Sequence, residues 1–342
     1  MAVRMKDIAD ELGVSLVTVS KVLRDKPDVG EATRKRVLQL VKELNYRPNM
    51  LARGLASGKS FAIGLIVPDL VNAFFAELAK GVSAGLRKES YQLILASSEE
   101  EPELERQEID HLLARGVDAL LIASCQNSAR GFKSLVGSKV PFVLLDRLLP
   151  KLNAFFVGTD DIAAGRIATE HLIELGRKRI AHIGGEEIST SAGRLNGYKE
   201  ALAGSGIPFR QELVVTRTRL EEDGIQHGRD AMSDLLRLKR IPDAVFCYND
   251  LTAIGAIHCL LTKGLRVPED VAVIGCGNLR LTDYLEVPLT SVDQSPQPQG
   301  EEAAQLALAV IAGKQKQREK KLLLEPRLIV RESTVGRTSS PA

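Results

Sequence analysis

From residue 61 onward the chain alternates short apolar runs with helical patterns, and nothing else in it restricts the fold as strongly. "FAIGLIVPD", "YQLILASS", "VDALLIAS", "VPFVLLDR" and "AFFVGTD" read as strands, with helical periodicity over residues 74–89 and 103–115. The pattern then restarts. A helix is predicted over 163–175, then the strand "RIAHIGG", a helix over 193–203, a strand near 213–216 and a helix over 224–236. "DAVFCYND", a helix over 252–263, "VAVIGCGN" and "LTSVDQS" complete the series. Strands that alternate with helices predict a parallel sheet with helices on its faces. Two such series in tandem predict two doubly wound lobes. Ligands of such sheets bind at the carboxyl ends of the strands, here in the cleft between the lobes.

The first 60 residues read differently. Residues 5–12 form a short amphipathic helix with Ile8, Ala9 and Leu12 on one face, and Gly13 stops it. Ser15 is a natural N-cap for a second helix over 16–23, whose Val19, Val22 and Leu23 face inward. Two helices joined by a short turn containing glycine make a helix-turn-helix, whose second helix enters the major groove by its leading end. A third helix opens at Glu31, Ala32 and Thr33 and carries Val37, Leu40, Val41 and Leu44 as its stripe, running toward Arg47-Pro48. At 342 residues the chain exceeds what one core usually holds, about 250–300 residues, so several domains are expected.

Charge supports the division. Residues 1–60 contain 12 Lys/Arg against 7 Asp/Glu, net +5, which leaves −3 for the remainder of a chain of net charge +2. A basic head on a mildly acidic body suits nucleic-acid binding. With aromatics at 4% and no Trp, a stacking platform for single strands is disfavoured. Cys125, Cys247, Cys259 and Cys276 lie far apart, as small buried residues of a reducing compartment, and the five His show no metal spacing. No targeting segment and no membrane-spanning run is visible, so a cytoplasmic protein is expected, associated with the nucleoid through DNA. "GLASGKS" falls one residue short of a P-loop and precedes a strand where the motif follows one. "VIGCGNLR" has Arg280 at the third position of a dinucleotide fingerprint. No catalytic constellation can be assembled, so neither an enzyme nor a cofactor is expected.

The strings "IADELGVSLVTVSKVL", "TRKRVLQLVKELNYRPN" and "LARGLASGKS" closely resemble the head of the LacI/GalR family of bacterial repressors. "GLIVPDLVNAFFAELAKGV", "VGTDDIAAGRIATEHLIELGRKRIAHIGG", "AGRLNGYKEAL", "FCYNDLTAIGA" and "GLRVPEDVAVIG" resemble its periplasmic-binding-protein type I core, so the resemblance covers nearly the whole chain. It implies a helix-turn-helix domain over 1–46, a hinge helix and linker over 47–60, and an effector-binding and dimerisation core over 61–342. Because the family's chain crosses between lobes three times, lobe one is expected at about 61–160 plus 292–320. Lobe two is expected at about 161–291 plus 321–336.

Site residues follow from the same resemblance. Leu16, Val17 and Lys21 stand at base-reading positions, with thymine methyls the natural partners of the first two. Lys6, Ser15, Thr18, Ser20 and Thr33 stand at phosphate or mixed contacts, and Arg24 where the family often has Asn. Asn49 and Ala52 match hinge contacts, and Leu55 is the apolar wedge that two paired hinge helices drive into the minor groove. The implied effector pocket holds Phe74, Asp146, Thr190, Arg194, Asn249 and Asp250, with Arg219 as an added cation. Gly277 stands where the family usually has an acid, and losing an acid while gaining a base points toward an acidic ligand. The resulting expectation is a homodimeric repressor of a pseudo-palindromic double-stranded operator, gated by a sugar, sugar derivative or related metabolite. No tetramerising heptad follows Ser333. A secreted solute-binding protein with the same body lacks the basic head.

Overall fold

The computed structural model describes residues 3–23, 26–46, 58–149, 151–185, 188–216, 224–314 and 320–336. The chain divides into two compact units, Met1–Ser60 and Phe61–Ala342.

In the first unit, α1 spans Met5–Leu12, α2 spans Leu16–Leu23 and α3 spans Glu31–Glu43. The Arg4 amide donates to the Asp7 carboxylate at 2.8 Å, which opens α1 and holds the Asp7 carboxyl below its ordinary range. Gly13 ends the helix with φ at +65°, a left-handed turn that a Cβ would strain. Ser15 Oγ then accepts from the Thr18 amide at 3.0 Å, so the serine caps α2 as its position predicts. Ile8, Ala9, Val19, Val22, Val37, Leu40 and Tyr46 form the buried core, drawn from all three helices and the turn after α3. The third helix ends at Glu43, earlier than the run toward Pro48 suggests, and Asn45 turns the chain with a positive φ.

The second unit holds two six-stranded sheets. The first is built from β1 Ala62–Val67, β2 Gln92–Ser97, β3 Ala119–Ile122, β4 Phe142–Leu145, β5 Phe155–Thr159 and β11 Lys321–Leu324. Their order is β11-β5-β4-β3-β1-β2, all parallel. The second sheet contains β6 Ile180–Ile183, β7 Val214–Val215, β8 Ala244–Cys247, β9 Ala272–Cys276, β10 Thr290–Asp293 and β12 Arg327–Ile329. Its order is β12-β10-β9-β8-β6-β7, with β12 alone antiparallel. Each sheet turns over beside its first strand, between β1 and β3 or between β6 and β8, the place at which sheets of this kind bind ligands beyond their carboxyl ends.

Helices cover both sheets. α4 (Ala73–Arg87) and α5 (Pro102–Ala114) belong to lobe one, with the short α6 (Lys133–Gly137). α7 (Asp161–Glu174), α8 (Ser189–Gly204), α9 (Gly224–Leu235) and α10 (Asp250–Thr262) belong to lobe two. After β10 the chain returns to lobe one, where α11 (Pro296–Ile311) lies against α4. The C-terminal segment departs from the expected division. Residues 321–324 pair with β5 of lobe one, while 327–329 pair with β10 of lobe two, so "LLLEPRLIVRES" is shared between the lobes. Glu325-Pro326 is the break, because proline cannot extend a strand ladder. A last helix, α12 (Glu332–Val335), closes on β9.

Three crossings therefore link the lobes, and hydrogen bonds lace them together. The Asp160 amide donates to Leu324 O at 3.1 Å. The wholly buried Gln299 side chain donates to Thr159 Oγ1 at 2.8 Å and to Gln294 O at 2.7 Å. No helix among the described residues is long and apolar enough to cross a membrane, and no group of His, Cys, Asp and Glu among them could hold a metal ion.

Candidate nucleic-acid interface and ligand cleft

The leading end of α2 is the part of the head that offers side chains outward. Its inward face is spent on Val19 and Val22, which leaves Leu16 51% and Val17 60% exposed in the first turn. Two unpartnered apolar side chains at a helix N-terminus suit thymine methyls in a major groove better than they suit water. Beside them Ser15 Oγ and Thr18 Oγ1 lie 2.9 Å apart. Lys21 donates its ammonium to the Asp28 carboxylate, which lies beyond the helix, and that contact pulls the Asp28 carboxyl below its usual range. Lys6 is exposed on α1, and Ser20 and Thr33 are part-exposed on α2 and α3. Arg24, Asn49, Ala52 and Leu55 lie outside the described residues.

The body gathers its charged groups at the carboxyl ends of β4 and β8 and at the start of α8. Asp146 follows β4 with φ at +56°, a conformation L-residues rarely adopt, and it is only 7% exposed. Its carboxylate makes no hydrogen bond among the described residues. Burial pushes its pKa up, while Arg194 and Arg147 pull it down. Arg194 comes from lobe two. Its Nε donates to Asp161 at 3.0 Å and its Nη1 to Tyr248 O at 2.7 Å, and the guanidinium lies 4.8 Å from the centre of the Tyr248 ring. Nη2 has no such bond among the described residues. Burial pushes the Asp161 carboxyl up to about 7 against the pull of Arg194. Thr190 joins the group through a 3.2 Å contact between its hydroxyl and that of Tyr248.

Lobe one answers with Arg147, whose two terminal nitrogens donate to Glu100 at 2.7 and 2.6 Å. This fork against a carboxylate is 7% exposed on the arginine side, and the arginine's Nε is buried without a partner among the described residues. The lobes touch beside these groups. The Leu148 amide donates to Ser189 Oγ at the start of α8 at 2.7 Å, and Arg280 pairs with Glu77 of α4 at 3.1 Å.

Three residues expected in the pocket have other work. Asn249 caps α10 by accepting from the Thr252 amide at 2.8 Å. Asp250 is wholly buried and takes the Ser291 hydroxyl at 2.5 Å on one oxygen and the Leu279 amide at 2.7 Å on the other, so it anchors the loop after β9. Phe74 packs edge-on to Phe75 at 5.1 Å in the lobe-one core, where Leu279 of lobe two meets it. Arg219 lies outside the described residues. Gly277 has φ at +135°, and a Cβ there would sit 3.3 Å from Asp250 Oδ2. The position usually acidic in the family thus faces another acid in a backbone shape that favours glycine. Glu100, Arg147, Asp161, Ser189 and Tyr248 are additions that motif reading missed. Arg147 and Tyr248 stood inside "VPFVLLDR" and "DAVFCYND", next to residues it did select.

A helix-turn-helix head and a two-lobed α/β body with a charged cleft define a DNA-binding regulator that responds to a small molecule. The comparisons agree. Residues 4–49 match the family described as "Bacterial regulatory proteins, lacI family", and residues 169–334 match the "Periplasmic binding protein-like domain". Catabolite control protein A of Priestia megaterium is 36% identical over 296 residues, covering 86% of this chain and 88% of that protein. The HTH-type transcriptional repressor PurR of Haemophilus influenzae (strain PittEE) is 33% identical over 334 residues, covering 96% and 98%. Among solved structures, a complex of the transcriptional regulator CelR with cellobiose matches with a TM-score of 0.71 and 31% identity, over 97% of this chain and 99% of that one. The Lac repressor dimer bound to operator and the anti-inducer ONPF shares the fold, with a TM-score of 0.84 at 24% identity over 98% and 99%. This chain belongs to the LacI family of bacterial regulatory proteins, and it is a transcriptional regulator.

Proposed function

We propose that this protein represses transcription as a homodimer on a pseudo-palindromic operator, and that a hydroxyl-rich small molecule, a sugar or sugar derivative, held between the lobes sets its affinity for DNA. The observation that carries the ligand half is Asp146. Asp146 is a residue more than nine-tenths buried in a left-handed backbone conformation, and its carboxylate makes no hydrogen bond among the described residues yet is not sealed among the buried unpartnered atoms, so it is placed to accept from a ligand hydroxyl. Arg194 Nη2 offers a matching donor from the other lobe. A ligand hydroxyl that donates to Asp146 and a ligand oxygen that accepts from Arg194 join the lobes, so binding favours one arrangement of them over another. Thr190 supports the arginine's side of the site through Tyr248. The CelR–cellobiose complex supports a sugar-sized ligand, and the regulatory role named for the relatives supports a body without catalysis.

On the DNA side, Leu16, Val17 and Lys21 read bases, and Lys6, Ser15, Thr18, Ser20 and Thr33 set the register on phosphates. Arg24 adds a contact at the end of α2, and Asn49, Ala52 and Leu55 act from the hinge. Dimerisation is supported by apolar side chains with no cover: Val71 is 93% and Tyr284 88% exposed, with Leu70 and Leu281 beside them in sequence. A gel-shift assay on palindromic duplexes selected from random sequence, at stated salt and with a panel of sugars, tests the reading. One retarded species whose midpoint moves with a sugar, in wild type but not in Asp146→Ala, is expected. A wild-type chain that binds all duplexes alike, or that no sugar affects, overturns it.

A further inference from the structure

Six glycines make the same contact three times over. A Cβ on Gly81 of α4 would lie 2.0 Å from Gln297 O of α11, and one on Gly300 of α11 would lie 2.1 Å from Leu78 O of α4. Between α7 and α8, Gly165 meets Arg194 O at 2.1 Å and Gly197 meets Ile162 O at 2.0 Å. Between α9 and α10, Gly228 meets Thr252 O and Gly255 meets Ile225 O, each at 1.9 Å. In every case the carbonyl met belongs to the residue three before the partner helix's own glycine. The rule is reciprocal, and it holds in both lobes. No Cβ fits at these distances, so each helix pair is locked backbone to backbone at one register, with Cα–H groups against carbonyl oxygens.

At five of the six contacts the carbonyl belongs to Leu78, Gln297, Ile162, Ile225 or Thr252. At the sixth it belongs to Arg194, the cation of the cleft. Its ion partner Asp161 precedes Ile162, the residue that meets Gly197, so both members of the pair are fastened to this one crossing. A further glycine stands here. A Cβ on Gly193 would come within 2.6 Å of Asp161 Cβ. We propose that Gly165 and Gly193 are positioning residues for the ligand cleft, which hold the Arg194 backbone against α7 so that the guanidinium reaches Asp161 and Tyr248 with Nη2 left for the ligand. The ligand part of this inference rests on the function proposed above, whereas the geometric part does not.

The full-length dimer carrying Gly193→Ala tests it, against Gly85→Ala in lobe one. The control's new Cβ meets Ala304 Cβ at 2.7 Å, a clash of nearly the same size against a side-chain carbon of the neighbouring helix. The Nε–H of Arg194, held by Asp161, should give an exchange-protected arginine resonance in a nitrogen–proton spectrum, assigned by its loss in Arg194→Lys. Gly193→Ala should abolish or shift that resonance, while Gly85→Ala, with a comparable fall in melting temperature, should leave it in place. Titration with cellobiose and the rest of a sugar panel should show about tenfold weaker binding for Gly193→Ala alone, the equivalent of one charge-assisted hydrogen bond. An unmoved resonance in Gly193→Ala, or equal changes in both variants, overturns the inference. If no sugar binds even the wild type, the proposed ligand class fails, and the resonance still decides the positioning role.

Discussion

Ile8→Ala is the substitution whose effect follows most directly from the head's construction. Ile8 is wholly buried in a core that, among the described residues, has seven buried members and eight partly buried ones packed against them. Truncating a buried isoleucine to alanine costs about 2–5 kcal/mol, depending on how far the neighbours collapse into the gap. A core this small supplies about 3–5 kcal/mol in all, so the variant removes most of the head's stability. Hydrogen exchange measured by mass spectrometry reads the loss locally. Protection of the α2 and α3 amides should fall by about 30-fold for a loss of about 2 kcal/mol and by about 700-fold at most, the point at which a head of about 4 kcal/mol has no protection left to lose. Amides of β8 and β9 should keep theirs, since neither lobe's core contains Ile8. DNA binding responds less evenly. With about 4 kcal/mol at the start, a loss of about 2 leaves nearly every head folded, whereas a loss of about 5 leaves about 15% folded and weakens binding in proportion, once per head. Protection in α2 and α3 within threefold of wild type refutes the reasoning about the core. An equal loss in β8 and β9 refutes the division into two units.

Further outcomes are specific enough to fail. Asp28→Asn frees Lys21 for the bases it is proposed to read, so affinity for the selected operator should rise several-fold over that for a scrambled duplex; fluorescence anisotropy on both duplexes checks this, and an equal change on the two counts against a held, base-reading Lys21. Asp161, with its folded pKa raised to about 7, keeps a proton that the unfolded chain has already lost, so it contributes stability below about pH 4 that drains away as pH rises through 7. The urea midpoint of Asp161→Asn should therefore vary less between pH 5 and 7.5 than that of wild type, and parallel curves refute the assignment. His182, buried and held down to about 4, acts in the opposite sense, so stability should fall as pH drops from about 6.5 toward 4. Gly277→Asp restores the family's usual acid yet places it at φ +135° beside Asp250, and a loss of about 1–3 kcal/mol is expected by urea denaturation; a neutral result shows that the loop relaxes.

What the sequence disclosed and what it hid have separate physical causes. Gly13, Ser15, Val19 and Val22 could be read because a turn, a cap and a helix face are local, and each leaves its mark within four residues. The two sheets could be read because buried parallel strands are short apolar runs that need helices between them. The sharing of "LLLEPRLIVRES" between the lobes was hidden in one apolar run, although Pro326 marks the break. The cleft was the least legible part. Arg147 meets Glu100 from 47 residues away and Arg194 meets Asp161 from 33, and neither separation leaves a periodic signal. The same long-range pairing diverted Asp250. It stands at the expected strand end, but Ser291 and the Leu279 amide from across the sheet had already taken its oxygens.

That pairing also bears on the kind of ligand. Gly277 in place of an acid, together with Arg219, pointed toward an anion. Among the described residues the balance runs the other way. Arg147 is neutralised by a two-pronged contact with Glu100, and above about pH 7, where its carboxyl is ionised, Asp161 neutralises Arg194, so there neither cation is left in excess. What remains over is Asp146. A second anion placed between it and these pairs meets a buried carboxylate whose pKa burial has already raised, and the approach of like charge raises it further. A neutral polyol meets no such penalty. Its hydroxyl donates to Asp146 and another of its oxygens accepts from Arg194 Nη2, so both groups are satisfied without a net charge entering the cleft. Since an unpaired buried charge is costly, this asymmetry selects among ligands before any shape is considered. Asp146→Asn should therefore weaken an uncharged sugar while relieving the repulsion of a sugar phosphate. Calorimetric titration of both ligands against both proteins reads the two changes, and a phosphate that binds wild type more tightly than its parent sugar refutes the charge argument.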